Sequence, residues 1–193
     1  MTVNTPADIP LADNDRLIVL DRDGVINQES DDFVKSADEW IPLAGSIEAI
    51  ARLSAAGFSV AVASNQSGLA RGLFDVDALA EMHGKLRALV ADAGGHIDHI
   101  AICPHGPDDN CDCRKPLPGL LHQIGRQLSV SLHHVPVIGD SLRDLQAARS
   151  ACARPILVRT GNGGKTEKSL PAELSTIEVY DDLGAAVSAL LAD

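Results

Sequence analysis

The chain has 193 residues, a length that suits one domain. Lys and Arg number 16 against 27 Asp and Glu, and a surface carrying the resulting net charge of −11 repels nucleic-acid phosphates and anionic lipid headgroups. Aromatic residues make up only 3%, too few for base-stacking platforms, and no apolar run approaches the roughly 18 residues of a membrane span.

Residues 1–15 mix Pro, Asp, Asn and Ala without periodicity and are expected to form a mobile arm. With Asp8, Asp13 and Asp15 where a signal peptide needs a basic region, a cytoplasmic protein is expected. Residues 16–193 then read as a single domain. Leu17 to Leu20 is a continuous apolar run, the pattern of a strand buried on both faces, and it ends at Asp21. Residues 46–56 have helical spacing through Ile47, Ile50, Ala51 and Leu53, with Gly57 as the stop. A second strand is predicted over 58–63, a long helix over 77–93, and a third strand over 97–102. Further along, a helix is expected over 118–128, a strand over 135–139, a helix over about 141–151 and a strand over 155–159. A weaker strand–helix pair follows near 176–191. Such alternation implies right-handed crossovers and a doubly wound, Rossmann-like parallel sheet, in which ligands bind at the carboxyl ends of the strands. The polar residues ending the apolar runs are Asp21, Ser64, Cys103 and Asp140.

These ends carry chemistry. Asp21-Arg22-Asp23-Gly24 places two carboxylates at i and i+2, and Gly24 permits the turn that would let them converge. Together they could ligate Mg²⁺, or one could attack phosphorus while the other handles protons. Taken alone, the same four residues could equally be a turn. Ser64 and Asn65 end the second strand, where a hydroxyl and backbone N–H groups could hold phosphate oxygens. Lys115 could neutralise a transferring phosphoryl group, and Asp140 and Asp144 offer further metal carboxylates.

The segment 103–113 spells C-x-H-x₅-C-x-C through Cys103, His105, Cys111 and Cys113. Three thiolates and an imidazole are the ligand set of a closed, structural Zn²⁺ site, and a loop this polar has little apolar content to hold its shape otherwise. The loop runs straight into Arg114 and Lys115, so the zinc would fix the segment that aims them. Cys152, set among alanines on a predicted helix, reads as a small buried hydrophobe.

The four strand-end motifs together resemble the haloacid dehalogenase superfamily of aspartate-nucleophile phosphatases, over roughly residues 16–160. The resemblance implies that Asp21 forms an aspartyl-phosphate, while Asp23 protonates the leaving oxygen and then activates water. It also implies that Ser64 and Lys115 hold the phosphoryl oxygens, and that Mg²⁺ sits on Asp21, the backbone carbonyl of Asp23, and Asp140, with Asp144 behind them. A capless member is expected, because about 20 residues between Asp23 and the first helix are too few for a helical lid. Loops 27–34, 67–71 and the zinc loop should then ring the entrance.

The zinc loop followed by Arg114-Lys115-Pro116 resembles a small branch of that superfamily, whose members act on a heptose 1,7-bisphosphate or on histidinol phosphate. The strings Ser64 to Gly72 (SNQSGLARG) and Asp140 to Ala148 (DSLRDLQAA) resemble the heptose side, which implies loss of the 7-phosphate. Three positions depart from that pattern: Ser64 stands where Thr is common, ESDD fills 29–32, and Ser141 stands where some members carry Lys. Arg114 therefore ranks ahead of Glu29 and Asp32 as a substrate contact, with Asn65 beside it and Arg71 a candidate for a distal phosphate. Histidinol-phosphate hydrolysis is the alternative, and a zinc-stabilised, non-catalytic binding module is a third reading. The expected partner is a phosphorylated sugar, with no nucleic acid and no membrane, and a monomer is expected.

The net charge opposes a phosphorylated substrate only as an average, because it is uneven. Residues 1–50 hold 3 basic and 11 acidic side chains, and residues 169–193 hold 5 acidic and no basic ones. Residues 51–168, which carry most of the expected phosphate-binding loops, hold 13 basic and 11 acidic side chains.

Overall fold

The computed structural model describes residues 16–192, so the arm expected over 1–15 lies outside the described residues. Six strands form one parallel sheet: β1 (Leu17–Leu20), β2 (Ser59–Asn65), β3 (His99–Cys103), β4 (Pro136–Gly139), β5 (Arg154–Val158) and β6 (Glu178–Tyr180). The connecting helices are α1 (Ser46–Ala55), α2 (Val76–Asp92), α3 (Gly119–Leu128), α4 (Leu142–Ser150), α5 (Gly163–Lys168) and α6 (Leu183–Leu190).

The period-2 alternation of a strand divides the core in two. Ile18, Leu20, Val60 and Val62 join Ile50 and Leu53 of α1, Met82 and Leu86 of α2 and Val187 of α6 in one buried cluster. Leu17, Val19, Ala61 and Ala63 join Leu120 and Ile124 of α3 and Ala147 and Ala148 of α4 in the other. β1, apolar at all four positions and fully buried, is the shared spine. The small alanines on the second face let α3 and α4 lie close to the sheet.

Strand order is β3-β2-β1-β4-β5-β6. The chain steps outward from β1 to β3, then returns past β1 to start β4, so the connections leaving β1 and β4 run to opposite sides. That reversal opens a crevice at the carboxyl ends of the two strands. Asp21 and Asp140 stand at those two ends.

Between β1 and α1 there is no helix, only isolated bridges pairing Asp23 with Asn27 and Asn27 with Pro42. The segment is pinned from below. Trp40 is fully buried in the first cluster, Lys85 Nζ donates to the carbonyls of Ala37 (2.6 Å) and Trp40 (2.8 Å), and Ser46 Oγ donates to Ile26 O (2.7 Å). No helix of the described residues is long and apolar enough to cross a membrane.

Two features differ from the sequence-based expectation. α5 has no apolar periodicity and begins with two glycines, so nothing in its composition announces a helix. Cys152 is exposed: α4 stops at Ser150, and Cys152 takes a left-handed conformation (φ 57°) just past the helix end, which turns it out of the alanine face.

Candidate active site

The β1 end supplies the first carboxylate. Asp21 Oδ1 accepts from the Arg22 N–H (2.7 Å) and from Lys115 Nζ (2.8 Å), and Oδ2 has no hydrogen-bond partner among the described residues. Lys115 comes from the segment after β3 and is buried, and its remaining donors reach Asp144 Oδ1 (2.5 Å) and Ala63 O (2.8 Å). Burial would strip its charge, but Asp144 and Asp21 outweigh that and hold it protonated. Asp144 is in turn fixed by α4 itself, since Ser141 donates to Asp144 Oδ2 through both its N–H (3.0 Å) and its hydroxyl (2.5 Å). Both Asp144 oxygens are thereby engaged, and its place is behind the lysine.

Asp140, at the β4 end, keeps one oxygen open; the other accepts from the Asn162 N–H at 2.7 Å. Carboxylate oxygens of Asp21, Asp140 and Asp144 lie within 4.8 Å of one another. Such crowding is costly for anions. Burial, then the charges of Asp144 and Glu29, push Asp140 up to about 7. Burial, with Asp144 and Asp140, raises Asp21 well above the usual carboxylate range, although Lys115 opposes it. Open, hard oxygens whose charges repel each other fit a divalent cation such as Mg²⁺, which is bound through carboxylates.

Asp23 is turned away from this cluster. Its carboxylate accepts from Arg22 Nε (3.2 Å) and Nη2 (2.9 Å), from Asn27 Nδ2 (2.9 Å) and from Gln66 Nε2 (2.8 Å). Against burial, which raises it, the Arg22 charge and these bonds hold Asp23 below its ordinary value. Gln66 Nε2 also donates to Ser64 Oγ (2.7 Å), so the hydroxyl proton of Ser64 is left to point elsewhere.

These groups line a cleft of about 320 Å³. Arg71, Arg114, Arg143, Glu29 and Phe33 form part of its wall, and the Arg71 guanidinium lies 5.7 Å from the Phe33 ring centre. Burial, then the charge of Asp23, raises Glu29. Asn65 also lines this cleft, and its amide holds the backbone of Lys115, donating to Lys115 O and accepting from Lys115 N (3.1 Å each). Asp32 is exposed and stands outside the cleft wall. Sequence reasoning did not single out Arg22, Asn27, Gln66 or Asn162 as site residues. Gln66 could have been found from its place two residues past Ser64; Asn162 lies in a glycine-rich stretch that looks like any connection.

The second cluster lies at the β3 end. Cys103 Sγ is 3.6 Å from His105 Nδ1, 3.7 Å from Cys111 Sγ and 3.2 Å from Cys113 Sγ, and His105 Nδ1 is 3.3 Å from Cys113 Sγ. A tetrahedron built on ordinary zinc–sulfur and zinc–nitrogen lengths has edges of roughly 3.5 to 3.8 Å; two of these distances fall in that range and two below it, a donor set that fits a possible Zn²⁺ site. Burial and the adjacent thiols of Cys103 and Cys111 push Cys113 up to about 12. The loop touches the cleft directly, because Arg114 Nη1 donates to His105 O at 3.1 Å.

Comparison with known proteins gives a consistent picture. A family model described as polynucleotide kinase 3 phosphatase matches residues 16–142, and a HAD-hydrolase-like model matches residues 112–186. A D-glycero-beta-D-manno-heptose-1,7-bisphosphate 7-phosphatase of Pseudomonas aeruginosa is 57% identical over 176 residues, covering 91% of this chain and 97% of that protein. The enzyme of the same name from Bordetella bronchiseptica is 56% identical over 178 residues, covering 91% and 98%. The crystal structure of D,D-heptose 1,7-bisphosphate phosphatase from B. bronchiseptica, complexed with magnesium and phosphate, superposes with a TM-score of 0.88 at 55% identity. It covers 92% of this chain and 98% of that one.

Proposed function

Because the chain belongs to the HAD-like phosphatases, with relatives above 50% identity that are heptose-1,7-bisphosphate 7-phosphatases, we propose that it removes the 7-phosphate of D-glycero-D-manno-heptose 1,7-bisphosphate through an aspartyl-phosphate on Asp21. The observation that carries this reading is the state of Asp21. It is half-buried at the crevice, oriented by Lys115 through Oδ1, and among the described residues has no partner on Oδ2, the oxygen that would attack phosphorus.

Asp21 and Asp140, with the Asp23 carbonyl, are the groups that would hold Mg²⁺, which when bound neutralises phosphoryl charge and polarises the phosphorus. Attack by Asp21 forms its bond to phosphorus as the bond to the sugar oxygen breaks, and Asp23, carrying the proton it took from water in the preceding turnover, delivers it to the leaving oxygen. Water then attacks the acyl phosphate, its proton passes to Asp23, and the Asp21 carboxylate is regenerated with release of inorganic phosphate. The four-donor clamp on Asp23 favours its anionic form, the form in which the second step begins. Lys115 and Ser64 face the same cleft, the first as a fixed positive charge and the second as a hydroxyl whose lone pair is already taken by Gln66 and whose proton is available to a phosphoryl oxygen.

Cys103, His105, Cys111 and Cys113 would hold Zn²⁺ as a structural ion. All four tetrahedral positions come from the protein, and Arg114 hangs from the loop by its bond to His105 O. Arg114 and Arg71 are the proposed contacts to the far end of the substrate, with Glu29 beside them. One aromatic side chain, Phe33, lines the cleft, which offers a sugar a floor but gives a nucleic-acid strand no stacking run.

Steady-state kinetics with Mg²⁺ on heptose 1,7-bisphosphate and on histidinol phosphate tests the assignment. Expected is a kcat/KM at least about a hundredfold higher for the heptose, with the 1-phosphate retained in the product. A preference for histidinol phosphate, or loss of the 1-phosphate, would replace this reading.

A further inference from the structure

The loop after β5, residues 160–162, and the start of α5 make a set of contacts that the reaction scheme above leaves unused. Asn162 N–H donates to Asp140 Oδ2 (2.7 Å), and Thr166 Oγ1 donates to Asp140 O (2.9 Å). Thr160 Oγ1 donates to Gly24 O (2.6 Å), and Asn162 Nδ2 reaches Glu29 Oε2 (3.2 Å). One short loop thus touches the turn after β1, the entrance loop and the Asp140 residue after β4.

Between these bonds the backbones come too close for any side chain. A Cβ on Gly161 would stand 2.2 Å from Asp140 Oδ2 and 2.6 Å from Gly24 Cα, and a Cβ on Gly24 would meet the same Asp140 Oδ2 at 2.2 Å. Both glycines have positive φ, +55° for Gly161 and +81° for Gly24. The Asp140 carboxylate is therefore seated between two bare Cα atoms and capped by one backbone N–H, with its other oxygen left open toward Asp21. A carboxylate held this way has one orientation, which is what a metal ligand needs before the ion arrives.

We propose that Gly161 and the Asn162 N–H are positioning elements for the Asp140 carboxylate, setting the affinity of the catalytic site for its divalent cation. This rests on the reading of Asp140 as a metal ligand. The side chain of Asn162 has a separate part: its bond to Glu29 steadies the entrance loop and bears on substrate, while only its backbone serves the metal.

The test is direct cation binding. Mn²⁺ is titrated into zinc-loaded, Mg²⁺-free protein and followed by loss of the free-ion EPR signal, with the Mg²⁺ dependence of turnover measured in parallel. Gly161→Ala should weaken Mn²⁺ binding about 10- to 100-fold, the range seen when groups supporting a metal ligand are lost, and raise the Mg²⁺ needed for half-maximal activity by a similar factor. At saturating Mg²⁺ the substrate KM should move less than threefold. Two alanine variants separate positioning from general damage. Gly94→Ala takes the same left-handed strain (φ +83°) with nothing within 4 Å, and Gly164→Ala lies in the same segment with only an ordinary contact, 3.8 Å from Arg159 O. Both should bind Mn²⁺ as the unmodified protein does.

Should Gly161→Ala not fold, Thr160→Val removes the bond to Gly24 O without adding bulk at Asp140, and it should weaken Mn²⁺ severalfold. Asn162→Ala, which keeps the backbone N–H, should leave Mn²⁺ affinity unchanged and raise substrate KM. Unchanged Mn²⁺ affinity in Gly161→Ala, or in Thr160→Val where the first variant does not fold, overturns the proposal. Equal losses in Gly94→Ala and Gly164→Ala overturn it too. Absence of Mn²⁺ binding in the unmodified protein would instead remove the reading of Asp140 on which it stands.

Discussion

Two ligand clusters stand at the same end of one sheet and follow opposite rules. The Asp21–Asp140 cluster is hard, anionic and incomplete: each carboxylate has one oxygen bonded by the protein and one open. The thiolate–imidazole cluster is soft and complete, four donors within 4.8 Å of one another on a loop that lacks an apolar core of its own. An incomplete set leaves room for substrate, whereas a closed set leaves room only for the ion. The first is built on rigid strands whose side chains form the protein's spine, so its geometry does not depend on the cation. The second, on the zinc reading proposed above, would depend on its ion for shape. In this account chemistry and architecture are therefore divided between two metal sites at one end of the sheet, joined by Arg114 and Lys115.

The largest separation between them should come from Asp21→Asn. Turnover should fall by at least about a thousandfold, the scale for loss of a nucleophile. The melting temperature of the metal-free protein should not fall, because a crowded, half-buried charge has been removed. Zinc removal should show the reverse balance. Cys111→Ser, verified zinc-free by elemental analysis, should lower kcat/KM roughly 10- to 100-fold, with KM carrying a large share as Arg114 loses its anchor at His105 O. Far-UV circular dichroism should change little, since Cys111 and Cys113 pack only at the margin of the second core cluster and the first cluster does not include the loop. Full activity in that protein would break the link between the two regions.

Gln66→Met probes the cleft alone, deleting the donor shared by Asp23 and Ser64 while keeping the volume. It should lower kcat about tenfold with little change in KM, measured at saturating Mg²⁺. The smallest effect concerns the floor beneath the site. Burial, then the charges of Arg22 and Arg87, lower His83 to about 4, with Asp23 opposing. The unfolded chain then binds the extra proton first, so this contribution to stability is present above the ordinary histidine value and is lost as pH falls from about 6.5 to about 4. His83→Gln should flatten that part of the pH–stability curve, as read by denaturant melts at pH 4.5 and 7.

Much of this was legible in the sequence, for a physical reason. A strand buried on both faces is apolar throughout, so its first polar residue marks the strand's end, and Asp21, Ser64, Cys103 and Asp140 announced themselves that way. Ligand chemistry is similarly local, and the spacing of Cys103, His105, Cys111 and Cys113 needs no fold to be read. Strand order is not local, and the crevice between β1 and β4 exists only once β4 has returned to pair with β1. The supporting bonds are equally long-range. Asn65 lines the cleft beside Ser64, but the bonds of its amide to Lys115, fifty positions away, are invisible in the sequence. Thr160 and Gly161 lie in a polar, glycine-rich connection, and only the packed structure shows that the missing Cβ makes room for Asp140.

The central claim is that Asp21 carries the phosphoryl group. Acid quench during turnover of ³²P-labelled heptose 1,7-bisphosphate, followed by peptide mapping, tests it most directly. The account predicts acid-stable, hydroxylamine-labile label on the peptide containing Asp21, absent from Asp21→Asn. Label on another residue, or turnover with no label under conditions that trap the acyl phosphate of a known aspartate-nucleophile phosphatase, would contradict it.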